Sequence, residues 1–304
     1  MRQGSHRPVF AVVNPVSAGG ATRRRWPQIR EALVSLGFHV EHTFTQAPGH
    51  ATELAREGVR NGFPLLLVVG GDGTLNEVVN GVAVEDFRAT LAVVPSGTGQ
   101  DLSRNLGLPQ TWEAALARLR SPSRVAVDVG CLTFESGQRR YFVNAAGAGL
   151  DAEVALRARR LTFLGRGALP YVLALVAYLA TYRPREMTLT VGPDGTPQRF
   201  RAALVLLANG PALAGNMRVA PKAVLDDGAL DAVVIGDVGR LELLWNLPSV
   251  FRGAHLGHPK VRTFRARRFL LSGPPDTRVE ADGEIVGGLP VQADLLPQAL
   301  RLLH

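Results

Sequence analysis

The sequence predicts two domains, a doubly wound parallel α/β domain followed by an antiparallel β-sandwich, and three observations carry that prediction. At 304 residues the chain exceeds one ordinary domain. Up to residue 122 short, continuously apolar runs alternate with stretches of helical spacing, the pattern of buried parallel strands with crossover helices. Beyond the linker Ser121-Pro122-Ser123 strand patterns separated by turn signals dominate instead. The domains are therefore placed at 1–122 and 123–296, with the C-terminal tail 297–304 a candidate to complete the first.

In the first domain Val9 to Val13 is an apolar run ending at Asn14-Pro15, and Trp26 to Leu36 has helical spacing up to Gly37. Phe38 to Phe44 alternates as a strand, His50 to Val59 is helical, and Leu65 to Val69 is a continuously apolar strand. Leu75 to Val82 is helical, Leu91 to Val94 is a short buried strand, and a helix follows near Trp112 to Leu119. In the second domain strands are expected at Arg124 to Val129, Tyr141 to Ala145, Met187 to Val191, Phe200 to Leu207 and Leu230 to Ile235. Further strands are expected at Val261 to Leu271, Val279 to Ala281 and Val291 to Leu295, with inserted helices near Leu169 to Tyr182 and Leu241 to Phe251. Pro193-Asp194-Gly195, Asp227-Gly228 and Asp282-Gly283 supply turns.

Two glycine turns leave consecutive strands of the first domain. In Gly70-Gly71-Asp72-Gly73-Thr74-Leu75-Asn76-Glu77 glycines allow positive φ and close backbone approach to an anion, and Thr74 with Glu77 fits a capping box at a helix start. Asp72 is out of place beside phosphates unless it binds Mg²⁺ or handles a proton; the alternative is an ordinary turn. Pro95-Ser96-Gly97-Thr98-Gly99-Gln100-Asp101 repeats the design, with Thr98 and Asp101 spaced as a cap pair. Neither turn matches the Walker or strict dinucleotide pattern. In doubly wound sheets ligands bind beyond the C-terminal strand ends, where Asn14, Gly70 and Pro95 all lie.

Asn14-Pro15-Val16-Ser17-Ala18-Gly19-Gly20 and the two glycine turns, in that order, resemble the diacylglycerol kinase catalytic-domain family. Thr45 with Gly49-His50-Ala51, Asp226-Asp227-Gly228 and Asp282-Gly283-Glu284 extend the resemblance over essentially the whole chain. It implies an ATP- and Mg²⁺-dependent lipid kinase, with diacylglycerol the expected acceptor and phosphatidic acid the product. Asn14, Thr45, Gly70, Gly71, Asp72, Gly73, Thr74, Leu75, Asn76, Gly97 and Thr98 would contact the nucleotide, with Asp72 near the phosphates and their Mg²⁺. Glu284 would be the general base, and Asp227 with the carbonyls of Val224 and Ala229 would hold a structural Mg²⁺. Gln100 departs from the family's usual Asn. From local sequence alone Glu284 also reads as a hairpin surface residue, and Glu280, four residues earlier, is expected to be indifferent to catalysis. Alternatives are an NAD kinase, which shares the Gly-Gly-Asp-Gly turn, or a catalytically silent lipid- or nucleotide-binding protein.

Net charge is +8, from 34 Lys and Arg against 26 Asp and Glu, with Lys222 and Lys260 the only lysines. That balance suits phosphorylated ligands or an anionic bilayer; no nucleic-acid motif accompanies it, and nucleic acid is not an expected partner. Arg157, Arg159, Arg160 and Arg166 around Leu161-Thr162-Phe163-Leu164 read equally as a bilayer contact or as a solvated face. The single cysteine Cys131 and an N-terminus without an apolar signal core point to a cytoplasmic protein, with peripheral contact at the inner membrane face. The longest apolar stretch, Ala168 to Ala180, falls short of the roughly 20 residues that span a bilayer. His255 and His258 are read as surface residues.

Overall fold

The computed structural model describes residues 7–97, 100–158, 160–161 and 168–303. The chain divides into two compact units, 1–127 with 298–304 and 128–297.

The first unit runs β1 (Arg7–Val13), α1 (Ala21–Ser35), β2 (Phe38–Phe44), α2 (His50–Arg60), β3 (Leu65–Gly70), α3 (Asp72–Ala83), β4 (Thr90–Pro95), α4 (Asp101–Asn105) and α5 (Trp112–Arg118). Its strands pair in the order β2-β1-β3-β4, all parallel. Val9, Ala11, Val13, Leu67, Val69, Ala92 and Val94 pack on Trp26, Ile29 and Leu33 of α1 and on Leu116 of α5. Intervening residues such as Val12, Leu66 and Val68 are buried as well. On that face Gly58 lets α2 close on Phe10 and Leu66, where a Cβ would come within 2.8 Å of both side chains. Burial on both faces explains why these strands read as unbroken apolar runs. The chain order reverses direction between β1 and β3, the topological switch point where such sheets bind ligands.

The second unit contains β5 (Arg124–Phe134, entered from the first unit), β6 (Arg139–Phe142), β7 (Ala145–Gly149), α6 (Leu150–Ala158), α7 (Leu169–Leu179), β8 (Arg185–Val191) and β9 (Gln198–Ala202). It continues with β10 (Leu204–Ala208), β11 (Leu230–Ile235), α8 (Arg240–Phe251), β12 (Val261–Ala266), β13 (Arg268–Ser272), β14 (Arg278–Ala281), β15 (Glu284–Gly288) and β16 (Val291–Leu303). One sheet runs β12-β11-β10-β7-β14-β15; in the other the first part of β16 pairs β13, then β8 and β9. Phe142, Met187, Leu189, Val205, Phe269, Leu271 and Val279 belong to the shared core. A second cluster joins the outer face of the six-stranded sheet to Leu175 and Leu179 of α7 and to Leu243, Leu247 and Val250 of α8.

Three segments expected as single strands are each two. Phe200 to Leu207 breaks at Ala203, whose N–H donates to Ile235 O (2.7 Å), so that β9 and β10 serve different sheets. Val261 to Leu271 breaks at Arg267, whose carbonyl accepts Leu295 N–H (2.8 Å). Tyr141 to Ala145 breaks at Val143-Asn144, between β6 and β7. Strands that turn a sandwich corner stay apolar through it, so periodicity does not mark the switch. The last strand outruns the expected Val291 to Leu295: Gln298 takes φ 47° after Pro297, and the strand continues so that Leu302 and Leu303 pair parallel with Leu91 and Ala92 of β4.

Candidate active site

Backbone hydrogen bonds between neighbouring strand ends gather the turns of the first unit at one sheet edge. Thr45 N–H donates to Val13 O (2.9 Å), Asn14 N–H to Val69 O (2.9 Å) and Ser96 N–H to Gly70 O (2.9 Å). Asn14 Nδ2 then donates to Thr74 Oγ1 (2.9 Å), tying the end of β1 to the start of α3 across the switch point. The first N–H groups of a helix have no intrahelical acceptor, and the dipole there favours an anion. The glycines make this opening by leaving space, with no positive φ at Gly70, Gly71 or Gly73. Gly71 caps α3 in an extended conformation (φ −104°), a Cβ at Gly70 would fall 2.6 Å from Thr74 Oγ1, and a Cβ at Gly73 would meet nothing within 4 Å.

The capping box expected for Thr74 and Glu77 is not formed. The helix begins at Asp72, the buried Thr74 serves Asn14, and Glu77 Oε2 accepts Ala51 N–H (3.1 Å) in the first turn of α2. Glu77 thus caps the neighbouring helix, an arrangement invisible in a local motif. Asp72 Oδ2 accepts Asp101 N–H (3.0 Å), so its carboxylate links the two glycine turns. Beneath the second turn, Thr22 Oγ1 lies 2.5 Å from Ser96 Oγ, and Ser17 Oγ donates to Ser96 O (2.7 Å). Leu75 is buried in α3, and Asn76 is buried and accepts from Asn80. In the second turn Thr98 and Gly99 lie outside the described residues.

In the second unit Asp282 (φ 47°) and Gly283 (φ 84°) form the tight turn between β14 and β15. Two successive positive φ angles are what a two-residue hairpin of this hand requires. The Asp282 carboxylate accepts the N–H groups of Val143 (2.8 Å), Asn144 (2.9 Å) and Ala145 (3.1 Å), which anchors the turn to the β6–β7 break. Glu284 follows, half-buried, its Oε2 held by Arg140 Nη2 at 2.6 Å.

Glu280, expected to be indifferent to catalysis, is part of the framework of this turn. It is 5% exposed, and its Oε2 accepts Gly283 N–H (2.7 Å) inside the turn that carries Glu284. Its strand partner Gly147 has no side chain because Asp151 lies there: a Cβ would be 1.8 Å from Asp151 Oδ2. Neither Asp151 oxygen has a hydrogen-bond partner of good geometry among the described residues. Burial pushes the Asp151 carboxyl up to about 7, partly offset by the first N–H groups of α6. Burial, reinforced by the Asp151 charge, raises Glu280 well above the carboxylate range. The two acids therefore retain a proton beneath the turn near neutrality.

Asp227 lies at the loop before β11. Its Oδ1 accepts Ala229 N–H (3.2 Å), its Oδ2 pairs with Arg265, and the buried Asp128 fixes the same loop by accepting Gly228 N–H (2.7 Å).

The description of the diacylglycerol kinase catalytic domain matches residues 8–132, and that of the YegS C-terminal NAD kinase beta sandwich-like domain matches residues 144–304. A diacylglycerol kinase of Staphylococcus carnosus is 30% identical over 281 residues, covering 92% of this chain and 89% of that protein. The chain belongs to the diacylglycerol kinase family. It is a lipid kinase. A diacylglycerol kinase of Staphylococcus saprophyticus is similar at 28% identity over the same share of both chains. A crystal structure from Bacillus anthracis strain Sterne, assigned as a diacylglycerol kinase, superposes with TM-score 0.78 at 25% identity over 97% of each chain.

The residues of this kinase suit the groups that its family implies. Open space over Gly73 at a helix N-terminus matches a phosphate, and the Asp72 carboxylate beside it is a hard oxygen ligand of the kind Mg²⁺ selects. At the second position Asp227 with the carbonyls of Val224 and Ala229 is an all-oxygen set. There Asp231 Oδ2 is buried without a hydrogen-bond partner among the described residues. Burial raises the Asp231 carboxyl, Arg265 counteracts this and Asp227 adds to it. Arg157, in the group read equally as a bilayer contact or as a solvated face, pairs with Glu153 (2.5 Å) and lies over the ring of Tyr178 (4.5 Å). Arg159, Arg166 and residues 162–164 lie outside the described residues. His255 is buried against Val219 O, and His258 Nε2 lies 3.3 Å from Glu242. The contacts of Ser96, Asp282 and Arg140 are not legible in the sequence, because each is bonded to a partner distant along the chain.

Proposed function

We propose that this kinase transfers the γ-phosphoryl of ATP to the hydroxyl of a lipid alcohol, with diacylglycerol the acceptor and phosphatidic acid the product. The observation that carries the reading is the open helix N-terminus at the β1/β3 switch point, where Asp72 stands at the mouth and Gly73 leaves room for phosphate. On the donor side Asn14, Thr45, the Gly70–Asn76 turn, Gly97 and Thr98 bind the nucleotide, and Asp72 holds its Mg²⁺. That ion supplies charge neutralisation on the phosphates when bound. On the acceptor side Glu284 accepts the hydroxyl proton as the lipid oxygen bonds to the γ-phosphorus, the bond to the bridging oxygen breaks, and ADP leaves with that electron pair. Arg140 orients Glu284, and Asp282 keeps its turn in place. Asp227, Val224 and Ala229 hold a structural Mg²⁺ that stiffens the loop before β11. Names of the staphylococcal relatives support diacylglycerol as the acceptor.

Incubation with ATP, Mg²⁺ and a total lipid extract, read by mass spectrometry, tests the assignment. Phosphatidic acid should accumulate with wild type and not with Asp72→Asn. A different phospholipid product would replace the acceptor; phosphorylation of NAD without lipid would replace the reading altogether.

A further inference from the structure

No residue of α8 is fully buried, although the helix is apolar on two faces. Leu243, Leu247 and Val250, spaced i, i+4, i+7, pack on the outer cluster of the second unit. Leu241, Leu244, Trp245 and Pro248, spaced i, i+3, i+4, i+7, form the opposite face and meet solvent, with Leu241 71%, Leu244 37% and Trp245 83% exposed. An outward apolar face of this kind marks an interaction site.

We infer that the Leu241-Leu244-Trp245-Pro248 face of α8 is where this kinase docks on an anionic lipid bilayer, inserting Trp245 at the level of the headgroups. The inference rests on the lipid-kinase reading for its biological sense, and on three local features for its content. Charge is complementary to anionic headgroups: residues 239–262 carry Arg240, Arg252, Lys260 and Arg262 against Glu242 alone, a net of +3 with histidines neutral. Arg240 and Arg252 flank the helix and are exposed, placed to reach phosphates while the apolar face is submerged. Glu242, the one acidic group, is neutralised by Lys260 at 2.8 Å.

Tryptophan is the residue that interfaces favour, since its ring is apolar and its N–H wants a wet partner. Size argues against a second copy of this chain as the occupant. The exposed parts of Leu241, Leu244, Trp245 and Pro248 together offer on the order of 400 Å², below the roughly 800 Å² per partner of a stable protein interface. A two-fold contact would also bring the same cations together.

The three tryptophans make the test direct: Trp26 is buried, Trp112 is partly buried, and Trp245 is exposed. Vesicles of phosphatidylglycerol and phosphatidylcholine should shift Trp245 emission to the blue, and brominated lipid should quench it. Trp245→Phe should abolish the spectral change while keeping co-sedimentation. The triple variant Leu241→Ser, Leu244→Ser, Trp245→Ser should bind these vesicles at least about tenfold more weakly. It should still phosphorylate a short-chain diacylglycerol dispersed in buffer at the wild-type rate. Equal vesicle binding by the triple variant and wild type overturns the inference, as does a concentration-dependent dimer that the triple variant loses without any lipid-dependent blue shift. Loss of vesicle binding in a protein that never phosphorylates the dispersed lipid retains the docking face and removes the acceptor reading, so the two failures are distinguishable.

Discussion

The Cβ position of Gly73 is empty of protein atoms, so a substitution there tests the proposed phosphate site directly. Gly73→Ala meets no protein atom and replaces the poorest ordinary helix former in the first turn of α3, so the fold should gain about 0.5–1 kcal/mol. If phosphate occupies that space, ATP affinity should fall in the same variant; calorimetric titration showing unchanged affinity with a raised melting temperature would remove phosphate from the turn. Glu284→Gln keeps size and turn geometry but cannot take the hydroxyl proton, so kcat should fall by roughly 10²- to 10⁴-fold with ATP binding retained. Glu280 tests a different property. Because it holds a proton, Glu280→Gln preserves its shape and its acceptor for Gly283 N–H, and kcat should stay within about threefold. Glu280→Leu orphans that N–H, loosening the turn, and should lower kcat without touching ATP affinity. The acid pair also predicts a pH dependence of stability. The folded-state values of Asp151 and Glu280 lie above their unfolded ones, so the folded chain keeps protons that the unfolded chain releases. Their contribution is complete below about pH 4 and is lost as pH rises through about 7 for Asp151 and through the raised value of Glu280. Melting temperature should therefore drop from pH 5 to pH 8 in wild type and drop less in Glu280→Gln; parallel profiles would mean that the pair is not buried as a protonated unit.

Elements were legible where their own residues determine them and illegible where a neighbour does. The strand Leu65–Gly70 follows from its unbroken apolar run because both its faces are covered, while the edge strand Phe38–Phe44 and the helix His50–Arg60 follow from their period because one face of each is covered. The glycine turn was legible as an anion-binding start of a helix. Its mechanics were not, since Thr74 is engaged by Asn14 across 60 residues and Glu77 by Ala51 across 26. Helix α6 was missed because its acids Asp151 and Glu153 are occupied by the sheet and by arginines, and no apolar stripe announces it. Glu77 gives the element-scale prediction. Glu77→Ala removes a carboxylate that accepts an N–H in the first turn of α2, and should destabilise the first unit by about 1 kcal/mol. Glu77→Gln, which keeps an acceptor, should recover most of it in chemical denaturation.

At the scale of the molecule, the chain leaves the first unit through β5 and returns to it at the end of β16. The first unit is thus completed by residues far along the chain, with Leu300 and Leu302 fully buried and Leu302 and Leu303 paired to β4. The sequence suggested this tail only as a candidate, because Pro297 inside a strand pattern ordinarily signals its end. Gln298 with its positive φ absorbs the bend instead. β4 also leads directly into the second glycine turn, since Ser96 follows Pro95. Leu302→Ala should therefore do more than open a cavity worth about 2–5 kcal/mol. By loosening the partner strand of β4 it should raise hydrogen exchange of Leu91 and Ala92 and weaken ATP binding, while exchange in the sandwich core around Phe269 and Leu189 stays unchanged. A uniform rise in exchange throughout the chain would instead mean that the two units unfold as one cooperative block, and that the tail serves general stability more than the nucleotide turn.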